Sequence, residues 1–78
     1  MNQLFELSDY PACVALVTLG YRLIGVDKSK PNRAIFQFEK DEGIQQALES
    51  FFRDELRMNP RLILMNARVV KDRLHGGY

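Results

Sequence analysis

The sequence predicts a small α+β domain with the element order β-α-β-β-α-α. The first observation is a hairpin pattern: residues 33–39 alternate so that Phe36 and Phe38 share one side, and a polar turn-forming segment precedes them. The second is that a two-stranded ribbon is marginal in water by itself, so the rest of the chain must cover it. The third is a set of three helical patterns, two after the hairpin and one before it.

The elements follow in order along the chain. Strands are expected at about 3–7, 22–27 and 33–39, and helices at about 9–19, 41–55 and 60–74. Residues 27–32, DKSKPN, are expected to form the hairpin loop, since Asp, Ser, Pro and Asn all favour turns. We expect helices over one face of a three-stranded sheet with an antiparallel hairpin. The apolar third strand favours a central place, although the order 1-2-3 stays open.

The first helix is unusual because it is apolar nearly all round. Between Ala12 and Leu19 only Thr18 is polar, and a helix of this kind must be covered on more than one side. Ser8 or Asp9 can cap its start and Gly20 its end. The sheet covers one side only, so either another helix of the chain or a second copy must cover the other.

The two remaining helices are amphipathic. The second has one apolar stripe from Ile44 to Phe52 and a cap at Asp41. Asn59 followed by Pro60 predicts the start of the third. Its apolar stripe contains Ile63, Ala67, Val70 and Leu74. Leu62, Met65 and Val69 widen that stripe, and we expect the wide arc to pack on both other helices.

Composition bounds the class of protein. Seventy-eight residues, 46% hydrophobic and 27% charged with net charge +1, predict one ordinary globular domain over residues 1–78. One cysteine excludes an internal disulfide and fits a reducing cytoplasm. No segment has the pattern of a signal peptide or the length of a membrane span, so we expect a cytoplasmic protein without membrane contact.

The order of these signals resembles a known family. The residues that carry the resemblance are Leu19-Gly20-Tyr21, the run from Leu23 to Ser29, Ala34 to Glu39, and Asn59-Pro60-Arg61. They resemble a family of small uncharacterised domains, a domain of unknown function from bacterial, archaeal and phage-related genomes. The resemblance implies a compact α+β fold and a mobile-element context, and it brings no catalytic residue.

Catalytic chemistry finds little support in the sequence. Cys13 and His75 are the only thiol and imidazole, and Cys13 lies within the apolar helix, where a cysteine behaves as a small hydrophobe. One Cys and one His cannot build a zinc site, and no glycine-rich phosphate loop is present. We therefore expect no enzyme, no metal, no cofactor and no small-molecule substrate.

Two functions remain. The first is a non-enzymatic interaction module, a small adaptor or homo-oligomer, because apolar helix surface exceeds what one sheet can cover. The alternative is a nucleic-acid-binding accessory domain, because residues 51–78 carry six basic against three acidic side chains. Its candidate phosphate contacts lie at the hairpin tip and on the last helix: Lys28, Lys30, Arg33, Arg61, Arg68 and Lys71. A solvated helix face explains the same charges without any ligand.

Overall fold

The computed structural model of the protein describes residues 3–76 and has the expected α+β fold. The elements are β1 (Leu4–Leu7), α1 (Tyr10–Thr18), β2 (Leu23–Lys30), β3 (Arg33–Glu39), α2 (Ile44–Phe52) and α3 (Pro60–Gly76). The sheet order is β1-β3-β2, and both outer strands run antiparallel to β3. The central place of β3, which its apolar composition favoured, is confirmed.

The core lies between β3 and the helices. Phe36 and Phe38 project from β3 toward Leu16 of α1, Ile44 of α2 and Val70 of α3, and all five side chains are almost fully buried. In β1, Leu7 pairs with Phe36 and Phe5 with Phe38, and both β1 side chains pack on the same cluster. The expectation that the two phenylalanines share one side is therefore correct.

Helix α1 is covered by its own chain. Five consecutive residues from Ala12 to Leu16 are buried. Helix α1 connects the two outer strands and lies on the side of the sheet that carries the Phe36 and Phe38 side chains. Helices α2 and α3 pack on α1 and cover its other side. The Tyr10 hydroxyl donates to the Ala67 carbonyl at 2.8 Å, and the Asn66 amide donates to the Thr18 hydroxyl at 3.1 Å. No second copy is needed to cover residues 12–16.

The ends of α1 form as the sequence predicts. The Asp9 carboxylate accepts from the Ala12 N–H at 2.9 Å, which satisfies one of the unpaired donors of the first turn. At the other end Gly20 has φ 103°, a conformation that glycine adopts without steric cost. The N–H groups of Gly20 and Tyr21 bond back to the helix carbonyls of Val17 and Leu16, which is a Schellman motif.

The hairpin is tighter than expected. Strand β2 continues to Lys30, which pairs with Arg33, so the loop is only Pro31–Asn32 and the predicted loop 27–32 is mostly strand. The register shifts between Leu23 and Gly25 and again between Asp27 and Lys30. These irregularities absorb the turn-forming residues into the strand, because a bulge accommodates one extra residue without ending the pairing.

Helix α2 is shorter than the expected range 41–55 at both ends. Asp41 does not cap the helix; its carboxylate accepts from the Gly43 N–H at 3.1 Å, and the helix begins at Ile44. At the other end Asp54 has φ 59°, and the N–H of Glu55 bonds the Ser50 carbonyl in a second Schellman motif. Helix α3 begins as predicted, because the side-chain oxygen of Asn59 accepts a hydrogen bond from the Arg61 N–H at 2.8 Å. It extends to Gly76, beyond the expected end at 74.

Replacing Asp54 with glycine is expected to stabilise the fold. Asp54 is the single non-glycine residue with positive φ among residues 3–76, and glycine removes the steric cost of that conformation. We expect Asp54→Gly to raise the free energy of unfolding by about 0.5–1 kcal/mol in urea titrations followed by circular dichroism.

The matched control is Gly20→Ala, at the equivalent position of α1. A Cβ at Gly20 has open space around it, so any loss there reports the backbone conformation alone. We expect this variant to lose about 1 kcal/mol. A loss of stability in Asp54→Gly would show that the Asp54 side chain contributes more than its backbone costs.

Candidate interaction surface

Helix α3 has two apolar stripes, and only one of them faces the core. Val70 is fully buried, and Ile63, Ala67 and Leu74 pack on the core cluster. The second stripe is Leu62, Met65 and Val69, which are 47%, 59% and 50% exposed. The expectation that the whole arc packs on α1 and α2 was therefore wrong. The helix has a 3.6-residue repeat, so these three side chains are turned about 120° away from the core stripe.

The outer face of α3 is defined here by its exposed apolar residues and the charges beside them: Arg61, Leu62, Leu64, Met65, Arg68, Val69 and Asp72. Leu64 is the most exposed large hydrophobic residue of the described chain, at 72%. A shallow groove of about 410 Å³ runs along this face, lined by Leu64, Met65, Val69 and two charged side chains. Large contiguous apolar patches on soluble domains mark contact surfaces, which makes this face the candidate.

A second apolar feature lies where α1, α2 and α3 meet. It is a cavity of about 250 Å³ whose walls are almost entirely apolar, lined by Tyr10, Pro11, Val14, Ala15, Phe51, Met58, Ile63 and Ala67. It has room for one apolar side chain, but it has no polar group positioned to orient a reacting substrate.

The uncovered face of the sheet is more polar than α3. Leu4 is exposed there, but the Gln37 amide of β3 donates to the Glu6 carboxylate of β1 at 3.0 Å on the same face. The pair satisfies its own polar groups at the surface, and it would have to be desolvated on binding. The sheet is therefore a weaker candidate for a contact surface than α3.

The six candidate phosphate contacts divide into two groups. At the hairpin, the Lys28 ammonium donates to the Leu74 carbonyl at 2.8 Å, and the Arg33 guanidinium donates to the Ser8 hydroxyl at 3.3 Å. Lys30 is the strand partner of Arg33 in the β2–β3 register, beside the turn. On α3 the bases lie along the exposed side: Arg61, Arg68 and Lys71. The Lys28 bond places the hairpin beside the last turns of α3, whereas Arg61 lies about 20 Å away along the helix axis.

The thiol and the imidazole lie in different environments. Cys13 is fully buried in α1, and His75 is exposed on the last turn of α3. Burial raises the pKa of the Cys13 thiol to about 12, and the positive charge of Arg73 lowers it only in part. A thiol of this pKa is protonated at neutral pH and is a poor nucleophile. The pair therefore offers no accessible catalytic dyad.

Cys13 is expected to make stability depend on alkaline pH. Its pKa is raised above the ordinary value of 9.0, so the unfolded chain releases the proton first. Its contribution is complete below pH 9 and declines as pH rises from 9 toward 12, by about 1.4 kcal/mol per pH unit. Urea titrations from pH 8 to 10.5 should show a steeper loss in the natural chain than in Cys13→Ala. Equal slopes would contradict a buried, protonated thiol.

Other sites for ligands are not apparent in the part of the chain that the structure describes. Within residues 3–76, no three side chains of His, Cys, Asp or Glu come together as metal ligands. Among the same residues, every buried side-chain nitrogen or oxygen has a hydrogen-bond partner. No described helix has the length and apolar character required to cross a bilayer.

The fold and this surface together define a small α+β domain whose last helix has an exposed apolar stripe beside its core-facing one. The chain belongs to the family described as Domain of unknown function (DUF5659), whose pattern it matches over residues 2–76. No curated protein and no solved structure matches the chain.

The sequence anticipated which helix would be buried but missed the surface that is left open. Leu62, Met65 and Val69 repeat at i, i+3 and i+7, and Ile63, Ala67, Val70 and Leu74 repeat at i, i+4, i+7 and i+11 beginning one residue later. The available signal was the charge beside the first stripe, because Arg61 and Arg68 border it and cannot be buried without partners. That signal favours the second stripe as the core-facing one.

Proposed function

We propose that the chain is a non-enzymatic protein-interaction module, a small adaptor or self-associating domain, whose contact surface is the outer face of α3. The observation that carries the proposal is the exposure of Leu62, Met65 and Val69 in one row on a helix whose opposite side is buried. An amphipathic helix normally presents polar groups to water, so a second apolar row indicates a second contact.

The chemistry of the molecule supports this class of function over catalysis. The apolar cavity lacks polar groups to position a substrate, and the thiol is buried and protonated. We further propose that the module acts in the cytoplasm, where its single buried thiol stays reduced. We also propose, from the family resemblance, that the chain comes from a bacterial, archaeal or phage-related genome.

The experiment compares three forms of the chain in cells of its source organism. Natural chain, Val69→Glu and the control Phe52→Glu are each cross-linked to their neighbours, and the bound proteins are identified by mass spectrometry. Phe52 is 60% exposed on α2, so its substitution changes charge and apolar surface equally, away from α3. We expect a partner, including the chain itself, to be retained by the control and lost by Val69→Glu. Identical partner sets for all three forms would refute the proposal.

A nucleic-acid-binding accessory domain is the second candidate. The bond from Lys28 to the Leu74 carbonyl favours it, because it brings the hairpin bases within about one helical turn of Lys71. Lys30 and Arg68 could extend this group on either side to make a phosphate-binding strip. The carboxylate of Asp72 lies beside Arg68 and Lys71 and opposes such binding.

Salt dependence tests the nucleic-acid candidate directly. Fluorescence anisotropy with labelled single- and double-stranded DNA at two salt concentrations measures how many phosphates are neutralised. We expect the double variant Lys30→Gln, Lys71→Gln to reduce the salt slope by about 2, and the control Arg57→Gln to leave it unchanged. Affinity that does not respond to salt would exclude phosphate contacts by this surface.

A further inference from the structure

We infer that the partner of the outer face of α3 is the same face of a second copy, with the two α3 helices packed antiparallel about a twofold axis. The inference rests on the proposed function, which it makes specific. Leu62, Met65 and Val69 follow the spacing of the a and d positions of a heptad, the pattern by which two helices pack side by side. Asp72 occupies the next position of the same row.

Twofold symmetry, together with the position of its axis along α3, determines which residues meet. An antiparallel pair with its axis near residue 67 sets Met65 of one copy against Val69 of the other, and the reverse contact follows from the symmetry. Leu62 then lies beside Asp72 of the second copy, and Arg61 borders Leu62. Each end of the interface therefore brings a guanidinium next to a carboxylate.

The distribution of charge selects the antiparallel direction. Arg61 is in the first turn of α3 and Asp72 is near its end. A parallel pair would place Arg61 beside Arg61 and Asp72 beside Asp72, and like charges at an interface are repulsive. Antiparallel packing turns both contacts into opposite-charge pairs. Near the axis, Arg68 of one copy approaches Arg68 of the other. Asp72 lies one turn further on the same helix and offsets that charge.

The size of the contact determines the strength we expect. Helix α3 has 17 residues and is therefore about 25 Å long. One helix pair of this length buries less than the roughly 1,600 Å² of a standard stable interface. The dimer should consequently be weak and dependent on concentration.

Sedimentation equilibrium over a wide concentration range tests the dimer. We expect the natural chain and Phe52→Glu to shift from monomer to dimer in parallel, and Val69→Glu to weaken association at least tenfold. Circular dichroism of each variant verifies that the helix content is unchanged, which separates loss of the interface from loss of the fold. Dimers that persist in Val69→Glu would locate the contact on another face and overturn the inference.

Thiol cross-linking tests the direction. Arg61→Cys and Asp72→Cys are each treated with a short bifunctional thiol reagent, alone and mixed, and Cys13 does not compete because it is buried. A mixed antiparallel dimer retains one natural Arg61–Asp72 pair while the two introduced thiols face each other at the other end. We expect cross-linked dimers in the mixture only. Cross-linking of Arg61→Cys alone would indicate a parallel pair and overturn the inference.

The failures of the two proposals are distinguishable. A natural chain that stays monomeric at every concentration, yet loses a foreign partner in Val69→Glu, would overturn the inference and leave the proposed function standing. A monomer whose partner set does not respond to Val69→Glu would overturn both.

Discussion

Phe38→Ala is expected to lower the free energy of unfolding by about 3–5 kcal/mol, because it leaves a cavity at the centre of the core. Phe38 is fully buried on the central strand, where it pairs with Phe5 and Leu23 on either side. A domain of this length has about 4–12 kcal/mol of stability in total, so the variant should lose a large fraction of it. Urea titrations followed by circular dichroism measure the loss.

Phe52→Ala is the matched control, since it removes the same atoms from an exposed position. Phe52 touches Phe51 edge-to-face with 5.3 Å between ring centroids, and it is outside the core cluster. We expect it to cost less than about 1 kcal/mol. Equal losses in the two variants would contradict a core centred on β3.

Arg73→Met is expected to cost about 2–3 kcal/mol, which is large for a side chain that is not fully buried. The Arg73 guanidinium donates to the carbonyls of Leu23 at 2.6 Å and Ile24 at 2.8 Å. Consecutive carbonyls of a regular strand point in opposite directions, but β2 is irregular between Leu23 and Gly25, so one side chain reaches both. Methionine keeps the apolar stem and removes both donors.

Arg57→Met serves as the control for Arg73→Met, because Arg57 is exposed in the segment between α2 and α3. We expect its effect to stay within about 0.5 kcal/mol. Amide hydrogen exchange adds a local readout: in Arg73→Met the protection of β2 should fall more than that of β1. Uniform loss of protection across the sheet would mean that Arg73 supports the whole core rather than this edge.

Much of the fold could be predicted because the deciding signals are local. Asp9 and Asn59 cap helices through bonds to residues two or three positions away, and Gly20 ends a helix through its own backbone conformation. The alternation around Phe36 and Phe38 likewise depends on strand geometry alone. The central place of β3 followed from burial, since a central strand is covered by two neighbours.

What could not be predicted depends on competition between similar signals. Asp54 follows α2 in a conformation that glycine usually adopts, and an aspartate at this position does not mark the end of a helix in the sequence. The two stripes of α3 are nearly equal in apolar content, so the apolar pattern alone does not decide that Val70 faces inward and Val69 outward. The decision depends on the charges beside the outer stripe and on packing against α1. The apolar pattern of α3 therefore predicted the helix correctly but did not predict which of its two stripes is exposed.

The hydrogen bonds that join α3 to the first half of the chain determine at what stage of synthesis the domain can complete its folding. Tyr10, Lys28 and Arg73 make bonds that span 57, 46 and 50 residues. A chain that has been synthesised only through its first half would therefore expose an unfinished layer of aromatic and aliphatic groups to water. The native state is therefore expected to form only after α3 has been synthesised and has left the ribosome.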